Sequence, residues 1–314
     1  MGVAEAFYAQ RVSLEDEARE RKACYDPAKE YNATITQYGK FSGLEKQSET
    51  ALRRKATCLG TAKGSVYAGT WGGEVFVYHQ DLALKEQFRA HNQKVSAIKE
   101  YSEAVVVLHS DGLVTRIAGK SGISQQIPGF RTGIFHPFLS LCVSGTDGGL
   151  CFYDLESSKV VFEKPGIMDA PLSLHPYGSC LLLGPRKGAL LDIRTAKVEG
   201  HLESYQITSS LFHSSGVTLM AGTRNRALAT IDMRTLTPIA RTRSQTIITH
   251  LSEYEKAVIY SSDTSNAQAI CPITRTPLFS FSSPITHAVS HNATNTPLFF
   301  TAPTLELCGY SATR

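Results

Sequence analysis

Short apolar runs separated by tight polar turns fill most of the chain. The clearest example is the segment 142–155, CVSGTDGGLCFYDL, in which two apolar runs flank the dipeptide Asp147-Gly148. An Asp-Gly pair favours the positive φ angles that a two-residue hairpin turn requires. The pattern therefore predicts a strand, a tight turn and a second strand.

This unit recurs along the chain with a nearly constant period. The third residue of the turn falls at positions 71, 111, 147, 186, 224 and 263, so that neighbouring copies are 40, 36, 39, 38 and 39 residues apart. A second landmark, a histidine after a short apolar run, has the same spacing or twice that spacing at His136, His175, His213 and His291. Repeats of about 40 residues that hold four short strands are typical of β-propeller blades.

Seven blades fit between residues 38 and 314. We predict that they start near residues 55, 95, 130, 169, 205, 247 and 285. The seventh blade lacks an outer strand of its own, and we expect the segment 38–49 to supply it, because a closed ring leaves no unpaired edge between its first and last blades. The predicted fold class is thus an all-β, seven-bladed propeller over residues 38–314.

Residues 1–37 form a separate helical or extended segment. Ser13 is a candidate N-cap for a short charged α-helix over residues 14–24, which ends before Pro27. Few apolar residues lie in this helix, so it needs a surface to lie against. That surface is either its own propeller or a binding partner.

Composition suits a folded chain. The sequence is 42% hydrophobic and 19% charged, and its net charge of +4 is too small to indicate a nucleic-acid-binding protein by itself. The seven cysteines include no CxxC motif, which favours reduced, buried thiols in an intracellular protein. We expect no membrane association, since no apolar run approaches the roughly 18 residues that span a bilayer and no signal peptide is evident.

Motifs of catalysis are missing from the sequence. Gly119-Lys120-Ser121 is similar to the end of a phosphate-binding loop, but Val114 stands where that motif requires glycine. The chain has no HExxH motif, no G-x-S-x-G motif and no evident pair of catalytic carboxylates. We therefore predict a protein that is not an enzyme and has no cofactor, metal site or small-molecule substrate.

From about residue 40 onward the chain resembles the WD40 family. The Trp-Asp pair that ends a blade in that family is represented here by Tyr153-Asp154, Leu191-Asp192 and Ile231-Asp232. The Gly-His pair ahead of a blade is represented by Ala90-His91 and Gly200-His201. This resemblance implies that His91 and Asp111 form the family's structural histidine–aspartate lock, which holds a blade together and does no chemistry.

Two segments resemble more specifically the family of WD40 subunits of the U4/U6 small nuclear ribonucleoprotein (snRNP), the pre-mRNA processing factor four family. In the segment 68–98, Trp71 stands where ordinary blades carry aspartate, as in the first blade of that family. The segment 135–166 resembles its middle blades, and SLEDEARERK at 13–22 resembles the charged helix ahead of its propeller. The region before the propeller is short here and most Trp-Asp pairs are eroded, so the resemblance describes a reduced relative.

That resemblance implies a nuclear scaffold in pre-mRNA splicing. The protein would belong to the spliceosomal U4/U6 snRNP and tri-snRNP, bind a pre-mRNA processing factor three-like protein and other snRNP proteins, and contact U4/U6 snRNA directly or indirectly. The alternative is a WD40 adaptor propeller that recruits substrates to a ubiquitin ligase or a chromatin complex.

Turns between the second and third strands of every blade lie on one face of a propeller. The residues of these turns that we predict to bind a partner or RNA are Trp71, Arg186, Lys187, Arg224, Asn225 and Arg226. An exposed tryptophan with nearby arginines is typical of an interface hot spot, and such side chains also stack on bases. The alternative is that Trp71 caps the core of its blade and the cations are solvated. Arg241 and Arg243, in a predicted linker before blade six, would extend the same face.

Overall fold

The computed structural model describes residues 41–312, apart from short internal segments. These segments are 53, 55, 63, 90, 102–103, 119–120, 128–131, 168–169, 185–187, 194, 196, 203–205, 255–256, 263–265, 273, 282–283, 286, 292–295 and 301–303. Residues 41–48 and 287–312 are described by their backbone alone. The predicted N-terminal helix lies outside the described residues, as do Arg186 and Lys187.

Strands account for all the regular secondary structure of the described residues. The first is β1 (Phe41–Ala51). Blade one contains β2 (Ala56–Ala62), β3 (Ser65–Thr70), β4 (Glu74–Tyr78) and β5 (Leu84–Arg89). Blade two contains β6 (Val95–Tyr101), β7 (Ala104–His109), β8 (Leu113–Ala118) and β9 (Ser121–Gln126). Blade three contains β10 (Thr132–Phe135), β11 (Leu141–Gly145), β12 (Gly149–Asp154) and β13 (Lys159–Pro165).

The next three blades repeat this order. Blade four contains β14 (Ala170–Leu174), β15 (Cys180–Gly184), β16 (Ala189–Asp192) and β17 (Lys197–His201). Blade five contains β18 (Ile207–Phe212), β19 (Thr218–Thr223), β20 (Ala227–Asp232) and β21 (Thr237–Arg243). Blade six contains β22 (His250–Tyr254), β23 (Ala257–Ser261), β24 (Gln268–Ile270) and β25 (Pro277–Ser280). The last strands are β26 (His287–His291), β27 (Thr296–Phe300) and β28 (Thr304–Ala312).

These strands form a closed propeller. Each of the six blades above is a four-stranded antiparallel sheet of consecutive strands, and a further four-stranded sheet has the order β1-β28-β27-β26. The first strands of neighbouring sheets contact one another around the whole ring, including β26 with both β22 and β2. The predicted all-β propeller class is therefore confirmed. The seven predicted blades correspond to six blades of consecutive strands and one sheet composed from both ends of the described chain.

Ring closure uses the strand that precedes blade one. β1 pairs antiparallel with β28, for example Glu49 opposite Glu306, and occupies the outer position of the composite sheet. The segment 38–49, to which the sequence assigns ring closure, overlaps this strand. In each of blades one to six, the first strand begins within three residues of the predicted start.

The core lies between the blades. The second strands and most of the third strands are largely buried because neighbouring sheets cover both of their faces, as in β7 and β19. Val75 and Val77 of blade one pack with Val105 and Val107 of blade two, and this arrangement repeats around the ring. Each fully buried aliphatic side chain stabilises the fold by roughly 1.5–3 kcal/mol relative to exposure.

Cysteine side chains contribute to this core as free thiols. Cys58, Cys142, Cys151 and Cys271 are buried and unpaired, as the sequence predicts. Burial raises the pKa of the Cys58 thiol to about 12 and that of Cys151 to about 11. The thiols of Cys58 and Cys151 therefore stay protonated and unreactive at neutral pH.

The two faces of the ring differ in the turns that they carry. Because strands alternate in direction, the turn between the second and third strands lies at the same end of a blade as the loop that leads to the next blade. We call this end the upper face. The lower face carries the turns between first and second strands and between third and fourth strands. In the described part of the chain no helix is long and apolar enough to cross a membrane.

On the lower face, three buried histidines link neighbouring blades. His175 of blade four accepts a hydrogen bond at Nδ1 from the Tyr177 amide (3.2 Å), and its Nε2–H donates to the Gly216 carbonyl of blade five (2.7 Å). His136 of blade three does the same with its own turn and with the backbone of Gly178 in blade four. A Cβ atom at Gly178 would lie 2.0 Å from His136 Nε2, so glycine is required where the imidazole of His136 contacts blade four.

The third of these histidines, His213, contacts a carboxylate of the next blade instead of its backbone. His213 of blade five binds its own turn through Ser215, and its Nε2 lies 3.6 Å from Oε1 of Glu253 in blade six. At the other end, Lys99 of blade two donates to the carbonyls of His136 and Pro137. The histidine landmark of the sequence thus marks side chains that join blades two to six along the lower face.

Candidate interaction face

The turn that carries Trp71 is tightly built although its tryptophan is exposed. Thr70 is fully buried at the end of β3, its hydroxyl accepts a hydrogen bond from the Glu74 amide (3.2 Å), and its carbonyl accepts one from Gly73 (3.3 Å). Gly73 has a φ of 77°, and a Cβ atom there would lie 2.0 Å from the carbonyl oxygen of His91. Only glycine allows the turn to lie this close to the loop between blades one and two.

Trp71 extends from this turn into solvent. Its side chain is 58% exposed, the largest exposed aromatic surface among the described residues. The alternative that Trp71 caps the core of blade one does not hold, because the core there consists of residues such as Val66, Phe76 and Tyr78, which are at most 4% exposed.

Two cations flank the tryptophan. Lys94, in the loop before β6, places its Nζ atom 4.8 Å from the centroid of the Trp71 ring. Arg54, in the loop before β2, lies across Gly72, where a Cβ atom would be 2.2 Å from its Nη1, and its Nε atom is 3.3 Å from Glu74 Oε2. The Arg54 side chain is 52% exposed, so its guanidinium still faces solvent. We call Arg54, Trp71 and Lys94 the Trp71 cluster.

His91 and Asp111 are brought together beside this cluster. His91 Nδ1 lies 3.3 Å from Asp111 Oδ2, which suits an ion pair but lacks the alignment of a hydrogen bond. The other carboxylate oxygen of Asp111 accepts a bond from the Leu113 amide (3.3 Å), and the His91 ring contacts His109 edge to face. The pair therefore joins the loop before blade two to the turn within it, where the resemblance to the WD40 family puts it.

The second predicted group lies in blade five. Arg224, Asn225 and Arg226 form the turn between β19 and β20, and all three are exposed. The Arg224 amide donates to the Gln206 carbonyl (3.1 Å), and Arg226 adopts a φ of 55°. The turn is thus fixed against the loop before its blade, and its side chains are free to bind.

The structure does not unite the two groups into one cluster. Three blades separate blade one from blade five in one direction around the ring, and two sheets separate them in the other. The sequence predicts Arg241 and Arg243 in a linker, and this prediction is wrong. Both residues lie on the outer strand β21, because that strand continues to residue 243. Arg243 pairs with Ala227 at the upper end of the blade, so it extends the face at its rim.

Sequence reasoning did not identify Lys94, and it placed Arg54 only among the cations of the segment 53–55 near the ring closure, not beside Trp71. Both lie in loops between blades, and they are 17 and 23 residues from Trp71 in sequence. The same period that located the turns also places these loops on the upper face. A search for cations in the loop on either side of each blade would have found them.

This arrangement is suited to binding. A tryptophan fixed on a rigid turn offers a large apolar surface at low entropic cost, and flanking cations add electrostatic complementarity to an acidic partner. Among the described residues, no three His, Cys, Asp or Glu side chains lie together as metal ligands. A scan of protein-family models and a search of curated proteins found no match to the chain. The fold is a β-propeller consistent with the WD40-like family.

Proposed function

We propose that this protein is a non-enzymatic scaffold that binds a partner protein through the Trp71 cluster. The observation that carries the proposal is the 58% exposure of Trp71 on a rigid turn between two cations. Exposed tryptophan and arginine are the side chains that most often dominate interface energies. A rigid ring that presents fixed loops supplies binding without conformational cost.

The surroundings of Trp71 favour an acidic partner. Glu74 is close to Arg54, and Asp111 is close to His91, so the upper-face carboxylates of this region already have partners. Lys94 faces the tryptophan ring rather than a carboxylate. A partner that covers Trp71 with an apolar side chain and presents acidic groups to Lys94 and Arg54 would satisfy the cluster.

In its specific form, the proposal places the protein in the nucleus as a scaffold of the spliceosomal U4/U6 snRNP. The partner would be a processing factor three-like protein, with U4/U6 snRNA in the same particle. Support for this form comes from Trp71 and its flanking sequence at 68–98, the feature that resembles the U4/U6 WD40 subunits. A WD40 adaptor of a ubiquitin ligase or chromatin complex is the competing form.

Affinity purification of the tagged protein at low and high salt, with both proteins and RNAs identified, tests the specific form. Recovery of U4 and U6 snRNA together with a processing factor three-like protein is the expected result. Recovery of a cullin complex or nucleosomes without small nuclear RNA would refute the splicing role but leave the scaffold role intact.

The double variant Trp71→Ala with Arg224→Ala tests the binding face itself. Loss of a hot-spot tryptophan costs about 2 kcal/mol or more, so recovery of the protein partner should fall at least about tenfold. Thermal stability should change by no more than about 1–2 kcal/mol, since both side chains are exposed. Phe138→Ala is the matched control, because Phe138 is 52% exposed on the lower face.

An equal loss of partner with the Phe138 variant would contradict the assignment to the upper face. Unchanged recovery with the double variant would contradict it as well.

A further inference from the structure

The outer strands of the blades differ in how they protect their free edges. Each sheet ends in an outer strand whose far edge has no partner strand among the described residues. Such edges invite pairing with other chains, and proteins usually block them with bulges, charges or proline. In six of the seven outer strands, namely β1, β5, β13, β17, β21 and β25, the register to the neighbouring strand is interrupted by a bulge.

β9 is the exception. Its pairing with β8 is regular from Ser121 opposite Ala118 to Gln126 opposite Leu113. Its sequence, SGISQQ, contains no charged residue and no proline. The other outer strands contain at least one of these, for example Lys159 in β13 and Pro277 in β25. β9 is therefore a regular six-residue edge without a bulge, a charged residue or a proline.

The direction of its free backbone groups follows from one hydrogen bond. The amide of Ile127 donates inward to the Gly112 carbonyl (3.0 Å). Since backbone groups alternate in direction along a strand, the amides of Gly122, Ser124 and Gln126 point outward. These outward groups form one continuous row of donors and acceptors.

A groove runs beside this edge, between blades two and three. Its apolar wall is formed by Val114, Ile123, Tyr153 and Leu155. Ile123 is 77% exposed, the largest value among the exposed large hydrophobic side chains described. Gln125 fixes the edge against blade three, because it accepts a bond from the Tyr153 hydroxyl (2.7 Å) and donates to the Ser158 carbonyl (2.9 Å). The edge and the groove are thus held in place before any ligand binds.

A positive charge lines the same groove. Arg116 lies on β8 directly opposite Ile123, with its guanidinium carbon 5.9 Å from the centroid of the Tyr101 ring. Among the described residues, no carboxylate lies within ion-pair distance of Arg116. The groove therefore presents an apolar surface and a cation that an acidic side chain would complement.

We propose that β9 is a strand-addition site for an extended segment of a partner protein. The segment pairs its backbone with the outward groups of Gly122, Ser124 and Gln126, and it places an apolar side chain against Ile123 and a carboxylate near Arg116. Strand addition of this kind takes its affinity from backbone hydrogen bonds and its specificity from side-chain pockets. The site lies on the side of the ring and does not depend on the Trp71 cluster.

The test uses the purified protein and a random library of twelve-residue peptides. Enriched peptides should combine an acidic residue with alternating apolar residues, and their binding should protect β9 amides from hydrogen exchange. A selected peptide is then titrated against variants by fluorescence anisotropy, with the Trp71→Ala variant included. Because the two sites are separate, Trp71→Ala should leave peptide affinity unchanged.

Ser124→Pro is the main variant, since it removes an outward amide and no backbone hydrogen bond to β8. It also removes the hydroxyl that contacts Thr115 of β8, so Ser124→Ala, which loses the same hydroxyl but keeps the amide, is the control for that loss. We expect Ser124→Pro to weaken the peptide at least about tenfold, because proline blocks pairing along the edge. Ser124→Thr keeps the amide and the hydroxyl that contacts Thr115, and it should bind within about twofold of the original protein. Arg116→Gln should abolish the preference for the acidic residue, and Ile123→Ser should weaken every selected peptide.

Three results would overturn the proposal: no peptide enriched above background, enriched peptides insensitive to Ser124→Pro, or protection outside β9. Sedimentation of the protein at increasing concentration addresses a different occupant. A dimer that Ser124→Pro abolishes and that no peptide displaces would show that β9 pairs with a second copy of this chain instead.

Discussion

Blade one presents Trp71 on the upper face, and blades three to five hold histidines at the lower-face turns. Both features lie at positions that recur with the period of the repeat, and both consist of residue types common in functional sites. His136 and His175 are nevertheless at most 4% exposed, and each contacts its own turn and the next blade. Trp71 is 58% exposed, and its ring contacts the Lys94 ammonium group.

The comparison separates residues that hold the ring together from residues that are available to a partner. A buried imidazole with both nitrogens bonded has no capacity left for a ligand, so its contribution is to stability. An exposed indole on a rigid turn contributes little to stability and retains its whole surface for binding. The two classes should respond in opposite ways to substitution, which the following experiments measure.

The largest expected effect is that of His175→Ala on stability. The change leaves the Gly216 carbonyl and the Tyr177 amide without their partners and opens a cavity beside Phe212. We expect a loss of about 3 kcal/mol in the free energy of unfolding, measured by urea denaturation. Binding to the partner of the Trp71 cluster should be unchanged at temperatures where the variant is folded.

Pro176→Ala is the control for this variant, since it alters the same turn but leaves the imidazole of His175 in place. It should cost less than about 1 kcal/mol. If His175→Ala costs no more than this control, the link between blades four and five contributes nothing to stability, and His175 is not one of the residues that hold the propeller together.

The pH dependence of stability is the next effect in size. Burial is the main cause that lowers the pKa of His136 to about 4; the bond to Gly178 opposes this shift, and the neighbouring Lys99 contributes to it. Between pH 6.5 and 4 the unfolded chain therefore binds more protons at this residue than the folded chain does. Stability should be complete above about pH 6.5 and should fall by about 3 kcal/mol as the pH drops to 4.

Burial also lowers the pKa of His109, which adds to the loss in the same direction. His136→Asn retains an acceptor for the Phe138 and Leu139 amides but does not titrate, so urea denaturation at intervals from pH 7 to 4 should give a flatter profile for this variant. An identical slope for both proteins would show that His136 is not the group responsible.

The sequence predicts the ring far better than it predicts the site. A tight polar turn like that at Asp147-Gly148 recurs with a nearly constant period, and a local rule about turns is enough to count the repeats and to find their starts. Trp71 was found because it departs from that repeat. Lys94 was not found, because its contact with Trp71 depends on how two loops meet in space.

The histidines show a second limit of prediction from sequence, because their spacing is visible but their hydrogen-bond partners are not. Their period was visible in the sequence, but not the fact that His175 donates to a carbonyl 41 residues away. The exposed edge of β9 was equally hidden, because its distinguishing feature is a regular register that only the pairing with β8 reveals. Residue type and spacing thus predict the elements, whereas their partners across blades require the structure.

Lys94→Gln should have the smallest effect on stability. It tests whether Lys94 belongs to the residues that are available to a partner or to those that hold the ring together. A cation over an exposed aromatic ring contributes about 0.5–1 kcal/mol, so the free energy of unfolding should fall by less than about 1 kcal/mol.

Trp71 is the only tryptophan of the chain, so intrinsic fluorescence reports on this cluster alone. The native emission maximum should lie close to that of the unfolded chain, since the indole is largely hydrated, and should shift to shorter wavelength when the partner covers it. The Lys94 variant should keep this shift but require a several-fold higher partner concentration, whereas a loss of stability as large as that of His175→Ala would place Lys94 among the residues that hold the ring together.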